Sequence, residues 1–385
     1  MFALKILFKN AFRHKLRTTL TVLGITIAIL AFGMLRTVVG AWYAGVEASS
    51  ATRLITRNAV SLVFFLPIAY KEQIRQVPGV TAVGYSDWFG GVYIDEKNFF
   101  PSFATEARTA MEMFPEFLVP DDQKKAFFRE RKGAVVGRKT AERFGWKLGD
   151  TVTLKGTIFP GNWDFVIRGI YRGAQKSTDE TQFFFHWDYL NESLKKTAPN
   201  RADRVGWFLV GVKSPDAAAD VSVAIDRLFK NSLAETVTET EKAFQLSFIS
   251  MTEAIVVVIR LVSYIVIVII MAVMANTMAM TVRERIGEYA VMKTLGFGAW
   301  HIGGLIFGES LVIAAIGSAF GIGLTFPAAK AFGDSLSQYF PVFNVARSTI
   351  YMDMAAGLAV AVVAALFPVW RAVRIRIADG LRRIG

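Results

Sequence analysis

The 385-residue sequence contains no cysteine and only three histidines. Without cysteine the chain can form no disulfide, thiolate nucleophile or cysteine-ligated metal site. The metalloprotease motif H-E-x-x-H and the serine-hydrolase motif G-x-S-x-G are missing. So is the phosphate-binding motif G-x-x-x-x-G-K-[ST], which ATP hydrolysis through a P-loop requires. These absences argue against the main hydrolase and metalloenzyme classes and against ATP hydrolysis by this chain.

Apolar residues, in contrast, are abundant. They make up 53% of the chain, and the mean hydropathy is +0.38, which indicates a membrane protein. Four stretches are long enough for a helix to cross a bilayer, which needs about 20 residues. We predict transmembrane helices at 18–42, 254–282, 300–331 and 350–370. The third stretch has eight Gly or Ser residues between Gly303 and Gly323, which suit close helix packing in lipid.

The charge distribution gives the orientation. The block between the first and second helices, 43–253, has 27 Lys and Arg against 26 Asp and Glu, although the whole chain has a net charge of +12. The excess of positive charge lies at the N-terminus, after the second helix and at the C-terminus. By the positive-inside rule these three places are cytoplasmic, and the large block is outside. Short basic clusters beside the membrane fit anionic lipid, and they leave no basic domain for nucleic acid.

The first 17 residues are rich in basic side chains. Lys5, Lys9, Arg13 and Arg17 are four residues apart, so a helix over 1–17 would place them on one face. Such a helix would lie in the inner membrane interface with its basic face toward the lipid head groups. The alternative is an ordinary helix that leads into the membrane.

The outer block of 43–253 is large enough for an α+β domain with its own core. Strands and turns are predicted in 77–94, a strand, short helix, turn and strand in 133–156, and strands in 162–172 and 205–212. We expect two subdomains, about 43–95 with 204–253, and 96–203. A helix is predicted from Asp216, and another near 239–251 is expected to run into the second membrane helix without a break.

The aromatic residues in the first part of this block allow two interpretations. They could form the core or a surface for apolar cargo. The residues concerned are Phe64, Phe65, Trp88, Phe89, Phe99 and Phe100.

Arg36, Arg260 and Glu309 are charged residues inside predicted membrane helices. Arg36 and Arg260 lie toward the outer ends of the first and second helices, where long side chains can reach the interface. They are either such anchors or part of a conduction or gating path. Glu309 is deeper, so it should face other helices and find a donor. It either pairs structurally or takes part directly in coupling. The 29-residue second helix is either a tilted span or a lever that transmits movement.

A short charged helix is predicted at 283–298, directly after the second membrane helix. Ile286, Tyr289 and Ala290 share one side, whereas other apolar residues lie elsewhere around the helix. A helix held between the membrane helices and a docked partner would need apolar residues in this arrangement. Gly296 and Gly298 can supply its C-terminal turn.

Four stretches together resemble one family, the permease subunits of MacB/FtsX-type ABC transporters, the mechanotransmission or type VII group. They are FKNAFRHKLRTTLTVLGITIAI (8–29), AVVGRKTAERFGWKLGDTVTL (134–154), RERIGEYAVMKTLGFGAWHIGGLIFGESLVIAAIGSAFGIGL (283–324) and PVWRAVRIRIADGLRR (368–383). In the last, Ile377, Ala378 and Asp379 stand where the family usually has a proline and a glutamate. Residues 43–130 carry no motif of the family.

The resemblance implies four transmembrane helices with one large α+β periplasmic domain between the first two, in the bacterial inner membrane. It implies a short periplasmic loop at 332–349 between the third and fourth helices and a cytoplasmic tail at 371–385, with both termini cytoplasmic. Permeases of this family pair with a second copy or a paralogue above a separate ATPase. The ATPase binds ATP and Mg, so this chain needs no cofactor.

The resemblance also names the helix at 283–298 as the segment that contacts the ATPase. Its candidate contact residues are Arg283, Glu284, Arg285, Glu288, Tyr289, Met292, Lys293, Leu295 and Gly296. Charge reversal at Glu284 or Glu288 is expected to uncouple the ATPase while the outer domain stays folded.

Three activities remain open for such a chain. Members of the family drive efflux through a periplasmic adaptor and an outer-membrane channel, release lipoproteins, or regulate cell-wall hydrolases. The size of the outer block favours efflux or release of hydrophobic or lipid-linked cargo. An FtsX-like protein that signals to a periplasmic partner without transport is the alternative, and a membrane enzyme with scattered carboxylates is a more distant one.

Overall fold

The computed structural model describes residues 2–250, 252–336, 340 and 342–374, with side chains from residue 7 onward except at 248. The chain forms two compact units. The membrane unit comprises Met1–Ala41, Glu253–Ser335 and Phe343–Gly385, and the outer unit comprises Trp42–Thr252 and Leu336–Val342.

The helices and strands alternate irregularly along the outer unit, whereas the membrane unit is helical. The helices are α1 (Phe2–Ala11), α2 (Lys15–Ala48), α3 (Tyr70–Arg75), α4 (Ala107–Met113), α5 (Asp121–Arg129), α6 (Arg138–Phe144), α7 (Trp187–Thr197), α8 (Ala218–Leu228), α9 (Glu241–Ser250), α10 (Glu253–Glu284), α11 (Ile286–Thr294), α12 (Ala299–Ser335) and α13 (Arg347–Val373). The strands are β1 (Arg53–Asn58), β2 (Leu66–Pro67), β3 (Val80–Trp88), β4 (Gly91–Val92), β5 (Ser102–Thr105), β6 (Phe117–Leu118), β7 (Gly133–Gly137), β8 (Thr151–Gly156), β9 (Gly161–Gly173), β10 (Phe183–His186), β11 (Arg204–Val205), β12 (Trp207–Val212) and β13 (Thr236–Thr240).

Four helices within the described residues are long and apolar enough to cross a membrane: α2, α10, α12 and α13. This agrees with the four predicted spans, and every one of the helices extends beyond the predicted bounds at both ends. The extensions are longest for α2, which continues to Ala48. The hydropathy of the sequence identifies only the part of a helix that is apolar enough for lipid. The helical hydrogen bonds continue into the more polar residues on either side.

Small residues let α12 approach its neighbours. An added Cβ at Gly317 would lie 2.7 Å from Ile25 Cβ on α2, and one at Gly321 would lie 2.7 Å from Ile29 Cβ. The hydroxyl of Ser310 donates to the carbonyl of Ala361 on α13 at 2.8 Å. Close contact of this kind gives the van der Waals and hydrogen-bond energy that holds helices together in lipid.

The N-terminal segment is not one continuous helix. The first helix ends at Ala11, residues 12–14 form a turn, and α2 begins at Lys15. The prediction of a single helix with Lys5, Lys9, Arg13 and Arg17 on one face is therefore wrong. Lys9 belongs to α1, Arg13 to the turn and Arg17 to α2, and the side chain of Lys5 lies outside the described residues.

The outer unit is built on one mixed sheet of eleven strands. The order is β13-β1-β12-β3-β5-β10-β7-β9-β8-β4, and β6 pairs with β9. A separate pair joins β11 and β2. The strands of the two expected subdomains meet where β3 pairs with β5 in the same sheet, although β4 lies at the far edge. The division into two subdomains stays a prediction.

The local pattern in 133–156 agrees with the sequence: β7, α6, a turn and β8 follow in the predicted order. Glycine explains where the helix stops. Gly145 follows α6 with φ of 69°, a left-handed conformation that closes a helix at little steric cost.

The aromatic residues of the first part divide between core and surface. Phe89 and Phe100 are buried in the core, with Phe89 packed edge-on against Phe165 and Phe185. Phe64 and Phe99 are exposed. The core interpretation is confirmed for Phe89 and Phe100, and the interpretation as a surface for apolar cargo stays a prediction.

One expectation about the exit from this unit is corrected. The segment near 239–251 does not run into the second membrane helix: α9 ends at Ser250, and α10 begins at Glu253. The Thr252 N–H bonds to the Ile249 carbonyl three residues back, which is a turn rather than the α-helical spacing of four.

Candidate functional site

The candidate site is α11, the short helix predicted at 283–298. It covers Ile286–Thr294, with Arg285 at the N-cap, and it connects α10 to α12. The end of α11 is closed by paired backbone bonds: Gly296 N–H to Lys293 O at 3.1 Å, and Phe297 N–H to Met292 O at 3.0 Å. These bonds are the Schellman pattern, and Gly296 has the positive φ of 91° that it requires.

The inner face of α11 is buried in the membrane unit. Tyr289 and Ala290 are almost fully buried, and the guanidinium of Arg285 lies 5.4 Å from the Tyr289 ring centre. Burial raises the pKa of Tyr289 to about 12. Its hydroxyl has no hydrogen-bond partner within the described residues. This face fixes α11 against the membrane helices.

Arg285 is the donor that Glu309 was expected to find. Its Nη1 donates to Glu309 Oε2 at 3.0 Å, and both side chains are buried. A buried ion pair is retained only where each charge is compensated, because an unpaired one is strongly destabilising. The pair therefore links the start of α11 to the first third of α12.

The acids of α11 and the end of α10 are engaged inside the chain. Arg17 binds Glu284 through two parallel bonds of 2.8 and 2.9 Å, and Arg13 bonds to Glu288. Burial raises the pKa of the Glu288 carboxyl, but the hydrogen bonds from Arg13 and Arg285 outweigh this and hold the pKa below its ordinary value. Arg13 and Arg17 were expected to face lipid head groups, and in the structure they face these two carboxylates.

Lys293 is likewise held by the chain, since its Nζ donates to the Val373 carbonyl at the end of α13 at 2.8 Å. Glu284, Arg285, Glu288, Tyr289 and Lys293 all have contacts within the membrane unit. These five of the nine candidate contact residues therefore help to hold α11 and its N-terminal end in place.

Apolar side chains on α11 and directly after it are exposed. The exposed fractions are 42% for Val291, 72% for Leu295 and 48% for Phe297. We call these three residues the apolar edge. Arg283 is exposed, and Met292 is half-buried. A groove of about 680 Å³ runs beside this helix, lined by Arg283, Glu284, Ile286, Gly287, Glu288, Val291 and Met292.

The two intramembrane arginines have different surroundings. Arg260 on α10 is exposed at the surface of the membrane unit, as an anchor that reaches the interface would be. Arg36 on α2 is half-buried, and its Nε has no hydrogen-bond partner in the described part of the chain.

Sequence reasoning missed Asp353. This acid on α13 is buried in the membrane unit, and its Oδ1 has no hydrogen-bond partner among the described residues. Its Oδ2 lies 2.8 Å from the position that a Cβ on Gly33 would occupy. The signal was available, because Asp353 is an acid inside the predicted span 350–370.

Within the described residues, no group of three or more His, Asp or Glu side chains could hold a metal ion.

Two family profiles match the chain. The MacB-like periplasmic core domain matches residues 18–228, more than half of the chain, and the FtsX-like permease C-terminal profile matches 260–377. No curated protein sequence matches.

Three solved structures show similarity to about half of the chain. The extracellular domain of the noncanonic ABC-type transporter YknZ from Gram-positive bacteria is 12% identical, with a TM-score of 0.36, covering 49% of this chain and 98% of that one. The periplasmic region of MacB from Actinobacillus actinomycetemcomitans is 8% identical, with a TM-score of 0.37, covering 53% and 95%. A domain of a putative permease from Porphyromonas gingivalis is 12% identical, with a TM-score of 0.34, covering 49% and 90%.

The profile matches and the four apolar helices define a class: a membrane-embedded subunit with a large α+β domain between its first two spans. The chain belongs to the MacB/FtsX-type family of ABC-transporter permeases. Permeases of this family lie in the inner membrane, work with a cytoplasmic ABC ATPase and are typically not catalytic themselves.

Proposed function

We propose that this chain couples ATP binding and hydrolysis by a separate ATPase subunit to movement of its outer unit, and that the cargo is hydrophobic or lipid-linked. The observation that carries the proposal is α11 itself. Its buried face and polar bonds fix it to the turn at residues 12–14, to α12 and to α13, and its apolar edge stays open. An exposed apolar surface on a fixed element is typical of a protein contact site.

In this proposal both termini and α11 are cytoplasmic, and the outer unit is periplasmic. A second copy or a paralogue completes the permease pair, and the ATPase supplies the ATP and Mg site. Efflux through an adaptor and an outer-membrane channel, and release of lipoproteins, are the two transport modes that it covers. Signalling to a periplasmic partner without transport stays the alternative.

We expect docking of the ATPase to depend on the apolar edge rather than on the acids that are paired inside the chain. Val291→Asp with Leu295→Asp places two charges in the apolar edge, where a partner would have to desolvate them. We expect the ATPase that co-purifies with the wild-type chain from native membranes to be lost by about tenfold or more. Folding should be unaffected, because these side chains are exposed. Leu233→Asp, at a fully exposed position of the outer unit, is the matched control.

Exchanging the charges of Glu284 and Arg17 distinguishes a role of Glu284 in contacting the ATPase from a role in holding the membrane unit together. Glu284→Arg alone should disturb the cytoplasmic end of the membrane unit, and adding Arg17→Glu should restore it, because the two residues bond to each other. Equal recovery of the ATPase with the apolar-edge variant and the wild type would reject the proposed docking site. Failure of the swap to rescue would instead assign Glu284 to the ATPase contact.

A further inference from the structure

An open cleft of about 1,090 Å³ lies in the outer unit, where α5, β6, α6 and β9 come together. Small-molecule sites in proteins usually measure about 300–1,000 Å³, so this cleft is large enough for one. The proposed function does not use this cleft, although one of its walls, from Arg138 to Lys147, lies in the 134–154 stretch that carries the family resemblance.

The floor of the cleft is apolar. Phe117 and Val119 are buried beneath it, and Leu118 between them is 53% exposed. Leu118 pairs directly with Arg172 across the β6–β9 ladder, so their side chains share a face. Ile170 lies two residues before Arg172 and therefore on that same face. A basic side chain thus stands beside an apolar strip.

The charges that line the cleft are mainly positive. Arg138 is already paired, at 2.9 Å with Glu142 and 2.6 Å with Glu180. Lys147 and Arg172 are exposed, and neither side chain has an acidic partner within the described residues. Lys124 lies 3.9 Å from Asp121, whereas Glu112 is an exposed and unpaired acid. Two free cations therefore outnumber one free acid in the lining.

One wall holds a buried donor without an acceptor. Trp146 packs edge-on against Tyr93 at 5.0 Å and is almost fully buried, yet its Nε1 has no hydrogen-bond partner in the described structure. A buried donor without an acceptor is destabilising, because it has lost its hydrogen bond to water. An acceptor oxygen of a ligand that reaches this N–H would remove this destabilisation.

We propose that this cleft binds an anionic amphiphile, with its alkyl chain on Leu118 and Ile170 and its acidic head group held by Arg172 and Lys147. The shared chemistry is one acidic head on one alkyl chain, and its source is either a fatty-acid carboxylate or a lipid phosphate. The inference goes beyond the proposed function, because binding requires no ATPase and no movement of the outer unit.

The test uses the full chain held in amphipol, without detergent micelles and without the ATPase. Lauric acid and dodecyl phosphate, each carrying a photoreactive diazirine near the end of the chain, are crosslinked and the labelled peptides mapped by mass spectrometry. The two probes distinguish the carboxylate and phosphate sources. We expect saturable labelling of the β6 and β9 segments by at least one of them.

Two variant pairs control for charge. Arg172→Gln with Lys147→Gln should lower labelling of these segments by about tenfold or more, as loss of charge-assisted bonds requires. Lys155→Gln with Lys213→Gln removes the same charge at exposed positions of the outer unit that do not line the cleft, and labelling should be unchanged. All four side chains are exposed, so both pairs should fold.

Further measurements could overturn the proposal. Unlabelled dodecyltrimethylammonium, which has the opposite charge, should not compete, and competition equal to that of dodecyl phosphate would reject the assignment of the head group. If a probe bound in the cleft changes the tryptophan fluorescence saturably, Trp146→Phe should abolish that change. Labelling confined to the membrane unit, or equal labelling of both variant pairs, would reject the site.

Discussion

Asp87 is a buried carboxyl on β3 in the outer unit. Its Oδ2 accepts a hydrogen bond from the Trp187 indole at 2.6 Å, whereas Oδ1 has no hydrogen-bond partner within the described residues. Burial raises the pKa of Asp87 to about 7, and the Trp187 bond only partly opposes this. A carboxyl that would ionise near pH 4 in the unfolded chain therefore stays protonated to near neutral pH in the folded one.

The sign of the pH effect follows from this difference. Between about pH 4 and 7 the folded outer unit binds one more proton at Asp87 than the unfolded chain does. The stability that this proton provides is complete below the unfolded pKa and is lost as the pH rises toward 7. We expect the free energy of unfolding to fall by up to about 1.4 kcal/mol per pH unit in this range.

The measurement is the urea midpoint of the outer unit in the full chain, followed by tryptophan fluorescence from pH 4 to 8. Asp87→Asn should flatten the dependence on pH, because the amide does not titrate. Asp95→Asn, at an exposed acid, should leave it as in the wild type. The same slope in the Asp87 variant and the wild type would contradict the assignment.

The contact between α2 and α12 is the clearest case of two elements that fit only through small residues. At Gly317 an added Cβ would also lie 3.1 Å from the Val22 carbonyl oxygen, and at Gly321 it would lie 2.9 Å from the Thr26 carbonyl oxygen. Backbone atoms cannot move aside as a flexible side chain can. The two helices would have to separate.

We expect Gly317→Ala and Gly321→Ala each to destabilise the membrane unit by about 1–3 kcal/mol, as overpacking of a close-packed interior does. The control is Gly323→Ala on the same helix, where an added Cβ meets no heavy atom within 4 Å. The measurement is the temperature of half-maximal aggregation of the purified chain in a neutral detergent. Identical temperatures for all three variants would show that α2 and α12 do not pack closely.

Within the whole molecule, Arg53 lies near the place where the chain enters and leaves the outer unit. It is buried on β1, the first strand after α2, and binds Glu241 at the start of α9, which precedes α10. Its Nη2 also bonds to Glu116 at 2.7 Å, and its guanidinium lies over the Phe114 ring. The Arg53 side chain therefore connects β1, α9 and the loop before β6.

Arg53→Met should destabilise the outer unit by about 3–5 kcal/mol, because it leaves the buried Glu241 without its counter-charge. Arg57→Met is the matched control, since Arg57, also on β1, pairs with the half-buried Glu239 on β13, and its loss should cost about 0–1 kcal/mol. Urea unfolding of the full chain measures both variants. Hydrogen exchange of α9 should accelerate only in the Arg53 variant, and equal losses in the two would argue against this role.

The sequence could indicate α11 but not its surroundings. Its position after the second span, its two-sided apolar pattern and the closing Gly296 are local properties, and the structure has each of them. The pairing of Glu284 with Arg17 joins residues 267 positions apart. No periodicity or spacing predicts such a contact, and the acids therefore looked free to meet a partner.

The sequence by itself determined the four membrane helices, the α+β block between the first two and the family. Each depends on hydropathy, turn residues or motifs read over short stretches, where the local chain decides the outcome. The tertiary structure alone decided which side chains meet: Arg285 with Glu309, Arg53 with Glu241, and the apolar strip of the cleft with Arg172. Burial in a shared environment selects those partners, and that environment exists only after the distant segments have packed.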